Sequence, residues 1–379
     1  MGSSMPKLEF VTVLADKHVK TGEDIKLSCE ANAEELMVTW EKNGQKLDCI
    51  QGHMSMKQTG KSFALEIKNA EEGDEGKYTL ILRNKWGNVS CSAMVTVELN
   101  EWRTVEWNQV QMVNTLNAFK IRDDKVKELR FLLHGPIGAG KSSVISSIRT
   151  IFGGRIHVDC PASSEITEFS TSHTLQFEKY QFRNAQDGLL PFAFIDVMGV
   201  ESREHNGVHS DDIIHILKGH IKQGYVFNPV KPMTKDSPCY LKNPSMNDKI
   251  HCLVNVIPAD KLSMIKDDFI KKMKTVGEKA IRMGILQVVL MTRVDCACPL
   301  TKKDLRNVYK SKKIKEKMRE CSVLLGVPVN HVFAVCNYHE ETEIKEEKNC
   351  LMLHALTKIV QWADDYIARY SNTQTSVEG

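Results

Sequence analysis

An apolar run leads into a glycine-rich loop in the segment Leu129-Arg-Phe-Leu-Leu-His-Gly135-Pro136-Ile137-Gly138-Ala139-Gly140-Lys141-Ser142-Ser143. Its apolar start predicts a short buried strand, and the residues from Ser142 onward predict the start of a helix. The loop between them matches G-x-x-x-x-G-K-[ST] at every fixed position. Glycines let backbone N–H groups converge on an anion, and the helix dipole adds positive potential there. We therefore predict a phosphate-binding loop over residues 135–143, in which Lys141 reaches the β- and γ-phosphates and Ser142 binds Mg²⁺.

A second apolar segment ends in an acidic residue about 55 positions after that lysine. Residues 189–199 predict a strand that finishes as Asp196-Val-Met-Gly199. A nucleotide-binding α/β fold places at this point the carboxylate that holds Mg²⁺ through water. Asp196 is therefore a predicted metal residue, and the backbone N–H of Gly199 is predicted to meet the γ-phosphate.

A third apolar segment, beginning at Leu286, ends as Thr292-Arg293-Val294-Asp295. Guanine presents N1–H and N2–H₂ as two adjacent donors, and one carboxylate can accept both of them. Asp295 is the predicted reader of the base, Arg293 is predicted to lay its aliphatic stem over it, and Thr292 stands where asparagine is more usual. The nucleotide predicted by this motif order is GTP or GDP, bound with Mg²⁺.

The segment between the phosphate-binding loop and Asp196 is rich in serine and threonine. Thr167, Thr171 and Thr174 are alternatives for a second Mg²⁺ ligand, and the spacing to the following strand favours Thr171. Small regulatory GTPases place a water-orienting glutamine directly after Asp-x-x-Gly. Val200 occupies that place and cannot orient water, so we predict slow or partner-stimulated hydrolysis. Arg203 and His205 are alternatives for a catalytic group or for a finger acting across a homodimer, and the catalytic residue stays unidentified.

The N-terminal part consists of many short segments in which apolar and polar residues alternate, separated by turn signals. This pattern predicts an all-β sandwich. Cys29, Trp40 and Tyr78 stand in an order that resembles an immunoglobulin-like domain of the I-set type. The resemblance implies that Tyr78 forms a tyrosine corner and that the domain contacts a protein partner. Leu80 stands where the second bridge cysteine belongs. Cys91 is an alternative partner for Cys29, which the register of the last strand disfavours.

Composition limits the remaining possibilities. The chain has 379 residues, 42% of them hydrophobic and 26% charged, with a net charge of +3, so nothing predicts a nucleic-acid partner. No apolar run reaches 18 residues, which predicts no membrane segment. The eleven cysteines are scattered without a framework, as in a reduced, cytoplasmic protein.

These patterns together predict a multidomain chain. We expect an immunoglobulin-like sandwich over residues 8–99, a helical connector over 100–128, and an α/β P-loop GTPase-like domain with a mostly parallel sheet over 129–370. Within the last domain, a basic helix is expected from Lys302 to Leu325.

From about Trp102 to Tyr370 the chain resembles the interferon-induced protein 44 and 44-like family. The resemblance rests on the phosphate-binding loop and on three further stretches: Leu190-Pro-Phe-Ala-Phe-Ile-Asp196-Val-Met-Gly199, Ile216-Leu-Lys-Gly-His-Ile221 and Tyr225-Val-Phe-Asn-Pro-Val-Lys-Pro232. It implies a cytoplasmic, interferon-responsive GTP-binding protein with an antiviral role in innate immunity. The alternatives are a non-catalytic interaction scaffold with a vestigial nucleotide site, and an ATP-using enzyme in which Asp295 is incidental.

Overall fold

The computed structural model describes residues 7–157, 176–197, 199 and 207–375, the last five of them by backbone alone. The chain divides into two compact units: the first comprises the residues up to Trp102 together with Lys310–Lys312, and the second comprises Arg103–Tyr309 and the residues from Lys313 onward. Each unit has its own hydrophobic core. Among the described residues, none of the helices has the combination of length and apolarity needed to cross a bilayer.

The first unit is a two-sheet sandwich. Its strands are β1 (Phe10–Thr12), β2 (Lys17–Lys20), β3 (Ile25–Ala31), β4 (Met37–Lys42), β5 (Gln45–Lys46), β6 (Met54–Thr59), β7 (Ser62–Ile67), β8 (Gly76–Asn84) and β9 (Gly87–Glu98). One sheet has the order β1-β3-β7-β6 and the other has the order β2-β9-β8-β4-β5. Strand β2 runs parallel to β9, and the other pairs are antiparallel. The predicted immunoglobulin-like sandwich is confirmed.

Alternation along the strands builds the core of this sandwich. In β3 every second side chain is buried, and Cys29, Trp40 and Leu80 lie together in the cluster between the sheets. The hydroxyl of Tyr78 donates to the carbonyl of Asp74 at 2.8 Å, which is the predicted tyrosine corner.

Cys29 and Cys91 are both free cysteines in the structure. Leu80 on β8 pairs directly with Cys91 on β9, so both side chains face the same side of their sheet. The Cys91 side chain packs against the core cluster that contains Cys29, and each of the two thiols shifts the pKa of the other. Strand register alone could not reveal this, because the distance that matters lies across the two sheets.

The second unit is an α/β domain. Its strands are β10 (Leu129–His134), β11 (Glu178–Arg183), β12 (Leu189–Asp196), β13 (Cys252–Pro258), β14 (Leu286–Thr292) and β15 (Val332–Ala334). Its helices are α1 (Gln109–Asn117), α2 (Lys141–Gly153), α3 (Ser210–Leu217), α4 (Asp267–Arg282), α5 (Val294–Ala297), α6 (Pro299–Lys303), α7 (Lys312–Leu325) and α8 (Glu346–Thr375). Within the described ranges, the strands form one sheet in the order β11-β12-β10-β13-β14-β15.

This sheet is mostly parallel, as predicted. Strand β11 is antiparallel to β12, and the other neighbours run parallel. Strand β13 is buried along its whole length, as expected for a strand covered by helices on both faces. Strands β10, β12, β13 and β14 therefore present their carboxyl ends at one edge of the sheet, where open α/β sheets bind ligands.

Two stretches differ in detail from the sequence expectation. The basic segment is interrupted, because Asp304 adopts an extended backbone and its side chain caps a short 3₁₀ turn by accepting from the Arg306 N–H at 2.9 Å. A continuous helix from Lys302 is therefore wrong, and α7 begins at Lys312. Residues 103–128 lie in the second unit, where Met112 and Leu116 of α1 are buried in the core.

Candidate nucleotide-binding site

The glycine-rich loop connects β10 to the N-terminus of α2. Gly138 and Gly140 have φ angles of +72° and +93°, a backbone region that favours glycine. The Val144 N–H donates to the Gly140 carbonyl at 2.9 Å. The N–H groups of Lys141, Ser142 and Ser143 thus precede the hydrogen bonds of the helix itself. The loop has the backbone geometry with which helix N-termini bind anions.

Lys141 is 8% exposed and folds back over this loop. Its Nζ donates to the carbonyls of Gly135 and Pro136, both at 3.1 Å. Burial lowers the pKa of Lys141, while the nearby Asp196 carboxylate acts in the opposite direction. The ammonium group is held at the loop by neutral carbonyl groups, which a phosphate could replace as its partners.

Ser142 and Asp196 meet at the start of α2. The Ser142 hydroxyl donates to Asp196 Oδ2 at 2.7 Å, and Asp196 is 1% exposed. A hydroxyl and a carboxylate are hard oxygen donors of the kind Mg²⁺ prefers. The two side chains therefore have the chemistry to hold a Mg²⁺ ion at this position.

Gly199 lies against the loop as well. A Cβ atom at this position would come 2.9 Å from the backbone nitrogen of Ile137, so the close approach requires glycine. Its carbonyl accepts from the Val208 N–H at 3.2 Å. Thr167, Thr171, Thr174, Val200, Arg203 and His205 lie outside the described residues, and the roles predicted for them stay predictions.

The Thr-Arg-Val-Asp motif follows β14 and reaches the same loop. The hydroxyl of Thr292, which is buried, donates to the carbonyl of Ala139 at 2.8 Å. Asp295 stands in the first turn of α5, near the thiol of Cys336, which donates to the carbonyl of Asn337 at 3.9 Å. Burial and the neighbouring carboxylate raise the pKa of Cys336 to about 12, so this thiol remains a hydrogen-bond donor at neutral pH.

Arg293 is fixed by a partner that the sequence analysis missed. Its φ is +58°, and its Nε lies 3.0 Å from both carboxylate oxygens of Asp260. The Arg293 Nη2 atom is also 3.0 Å from Asp260 Oδ2. Asp260 follows β13 just as Arg293 follows β14. A carboxylate placed directly after a central parallel strand is the signal that could have identified it.

Asn337 is a second missed residue. Its side-chain amide donates to the Gly140 carbonyl at 3.2 Å and its Oδ1 accepts from Ser147 at 3.4 Å. Lys348 donates to the Asn337 carbonyl at 3.0 Å. No motif in the sequence pointed to a role for Asn337. The position of Asn337, three residues after β15, is the available signal.

His134 underlies the loop from the end of β10. It is 1% exposed, and its Nδ1 lies 3.1 Å from Asn255 Oδ1. Burial lowers the pKa of His134 to about 4, so the imidazole is neutral at physiological pH. A neutral ring here adds no charge beneath Lys141.

The structure thus brings together, at one edge of the sheet, the loop over residues 135–143, Asp196, Gly199, Thr292, Arg293 and Asp295. Asp260 and Asn337 join them. Fold and site define a two-unit protein, in which an immunoglobulin-like sandwich precedes an α/β domain with a glycine-rich strand–loop–helix at its candidate ligand site.

Comparison with known proteins agrees with this description. The Immunoglobulin I-set domain family model matches residues 8–97. Mouse interferon-induced protein 44 is 32% identical over 285 residues, which is 73% of this chain and 65% of that protein. Human interferon-induced protein 44-like is 32% identical over 248 residues, 64% of this chain and 53% of that protein.

Human interferon-induced protein 44 is also 32% identical, over 257 residues that make up 68% of this chain and 57% of that protein. The chain is therefore a homologue of the interferon-induced protein 44 and 44-like proteins. It spans a little over half to about two thirds of the length of these relatives. Matches of this length extend far beyond the first unit.

Proposed function

We propose that the second unit binds a guanine nucleotide, GTP or GDP, together with Mg²⁺. The observation that carries the proposal is the hydrogen-bonded Ser142–Asp196 pair beside Lys141 at the N-terminus of a helix. Positive backbone potential, a buried ammonium group and a hard oxygen pair are the three features that a Mg²⁺-bound polyphosphate requires.

The proposed roles follow from the positions of the groups. The N–H groups of residues 138–143 and the Lys141 ammonium would bind the phosphates. Ser142 and Asp196 would hold Mg²⁺, which neutralises phosphate charge when bound. Asp295 would accept the two guanine donors, and Arg293 would cover the base. Thr171 is proposed as a further Mg²⁺ ligand from the sequence alone.

The names of the relatives support a coarser proposal about biological setting. We infer that the chain is itself interferon-induced, as these relatives are named. From the family resemblance of the sequence alone, we propose that it acts in antiviral innate immunity in the cytoplasm. The I-set unit supports a protein partner for the first unit.

Equilibrium binding of GTP, GDP and ATP, with and without Mg²⁺, tests the proposal on the full chain. We expect GTP to bind more tightly than ATP, and chelation of Mg²⁺ to weaken GTP binding about tenfold or more. The Ser142→Ala protein should bind GTP with nearly the same affinity whether or not Mg²⁺ is present, because the hydroxyl ligand has been removed.

Ser146→Ala is the matched control, since Ser146 is another half-buried serine one turn further along α2. It should retain the Mg²⁺ dependence of the wild-type protein. Absence of any nucleotide binding by the wild-type protein would contradict the proposal and favour the interaction-scaffold alternative. Equal affinity for GTP and ATP would contradict the guanine assignment alone.

The Asp260–Arg293 ion pair gives a smaller, more local prediction. Replacing Asp260 with asparagine removes the negative partner of a half-exposed guanidinium and leaves the side-chain volume unchanged. We expect GTP affinity to fall about fivefold, equivalent to roughly 1 kcal/mol, because Arg293 is then less well fixed over the base. Isothermal titration with GTP measures the change.

The control for Asp260→Asn is Asp267→Asn, an exposed aspartate in the first turn of α4. This variant makes the same loss of charge in the same unit and should leave GTP affinity unchanged. If the two variants bound GTP equally well, the ion pair would have no part in nucleotide binding.

A further inference from the structure

Two cysteines face each other across the sandwich of the first unit. Cys29 is 2% exposed on β3, in the sheet β1-β3-β7-β6. Cys91 is half-buried on β9, in the other sheet, and packs against the core cluster that contains Cys29. Both residues are free thiols, and each thiol shifts the pKa of the other.

Their position explains the absence of a cysteine at residue 80. Leu80 is fully buried on β8 and is the direct neighbour of Cys91 in the strand pairing. Side chains opposite one another on neighbouring antiparallel strands lie about 5 Å apart on one face of the sheet. The second sulfur atom is therefore displaced by one strand, and Leu80 fills the space beside it.

We propose that Cys29 and Cys91 are a redox-modification site, at which an oxidised small-molecule disulfide converts the thiol pair into a reversible covalent link between the two sheets. The reaction needs one disulfide such as oxidised glutathione for each link formed. The two cysteine sulfurs become bonded to each other and are oxidised together by two electrons. The glutathione disulfide is reduced and leaves as two thiols.

The order of the two steps follows from the surroundings of each sulfur. Cys91 is the more exposed of the pair, and hydrogen bonds from the Cys29 thiol and from the Leu14 backbone lower its pKa to about 7. Burial and the partner thiol raise the pKa of Cys29. The Cys91 thiolate therefore attacks the glutathione disulfide and expels one glutathione thiolate. Cys29 then loses its proton, attacks the Cys91 sulfur and expels the second.

The link would change the stability of the first unit, because it joins residues on two sheets that otherwise separate on unfolding. It would close a loop of about 60 residues, and closing such a loop removes entropy from the unfolded chain. In the reduced unit, the buried core cluster packs the two sheets together. The proposal is independent of nucleotide binding, since it rests on residues of the first unit.

The test treats the full chain with oxidised glutathione, blocks the remaining thiols, and identifies linked peptides by mass spectrometry. We expect Cys29 and Cys91 to be recovered as one cross-linked pair, and dithiothreitol to restore both thiols. Hydrogen exchange of β3 and β9 amides should slow at least about tenfold in the oxidised protein.

Two variants serve as controls. Cys91→Ser should abolish both the cross-link and the slowed exchange, whereas Cys49→Ser, which removes an exposed thiol of the same unit, should preserve both. Recovery of Cys29 as a free thiol from oxidised, folded wild-type protein would overturn the proposal. A link from Cys29 to any other cysteine would overturn it as well. Because mapping uses the wild-type chain, the result does not depend on either variant folding.

Discussion

Asp295→Asn protein is expected to bind xanthosine triphosphate in preference to GTP. The carboxylate of Asp295 offers two acceptors to the N1–H and N2–H₂ groups of guanine, and an amide offers one acceptor and one donor. Xanthine carries a carbonyl in place of the exocyclic amine, so the amide matches it. Guanine would keep one hydrogen bond, now to a neutral amide, and its second donor would face the amide NH₂. This loss corresponds to roughly 3 kcal/mol, which weakens GTP binding about 100-fold.

The measurement is equilibrium titration of wild-type, Asp295→Asn and Lys141→Ala proteins with GTP and xanthosine triphosphate. Lys141→Ala removes a phosphate contact, so it should weaken both nucleotides by the same factor and leave their ratio unchanged. Because each variant is titrated with both nucleotides, the ratio of the two affinities reports recognition of the base and their common loss reports recognition of the phosphates. Parallel losses for both nucleotides in Asp295→Asn would show that Asp295 does not read the base.

Gly135→Ala is expected to destabilise the second unit by about 3 kcal/mol. A Cβ atom on Gly135 would lie 2.3 Å from the carbonyl oxygen of Val256. That oxygen belongs to the backbone of β13, which pairs with β10 immediately before the loop through His134 and Asn255. A side chain could rotate away, but a strand carbonyl inside a paired sheet cannot, so the loop and the strand must separate.

Urea unfolding followed by circular dichroism measures this loss as a lower midpoint. Gly326→Ala is a demanding control, because residue 326 has open space around it and a φ of +66°. Alanine at residue 326 should lower the free energy of unfolding by only about 1 kcal/mol, because its backbone would be strained at this φ. If Gly135→Ala lowered the free energy of unfolding no more than Gly326→Ala does, the prediction would be wrong. The close contact with Val256 would then be relieved without loss of stability.

The sequence predicted the two kinds of fold because each has a local signature. Alternating burial in β3 and the tyrosine corner at Tyr78 depend on nearby residues. The glycine-rich loop, the Asp196 strand end and the Asp295 strand end likewise carry recognisable patterns. Their meeting at one edge follows from the parallel sheet, whose strand ends converge.

The features that the sequence did not reveal depend on contacts between segments that are far apart in the chain or on local hydrogen bonds outside any motif. Asp260 and Asn337 follow strands at the same edge but belong to no motif, so only the positions of Arg293 and Gly140 give them a role. The proximity of Cys91 to Cys29 depends on how two sheets face each other. The break before α7 follows from a cap at Asp304, whose local hydrogen bond competes with the helical period.

Two hydrogen bonds described above connect parts of the ligand site that would otherwise be separate. The Thr292 hydroxyl bonds to the Ala139 carbonyl, and the Asn337 amide bonds to the Gly140 carbonyl. The loops that would surround a nucleobase are thus attached to the backbone that would surround its phosphates. Under the proposed function, binding of the base and binding of the phosphates are thermodynamically linked. Ordering of one loop lowers the entropy cost of ordering the other. The intact nucleotide therefore binds more tightly than the separate affinities of base and phosphate fragments would give.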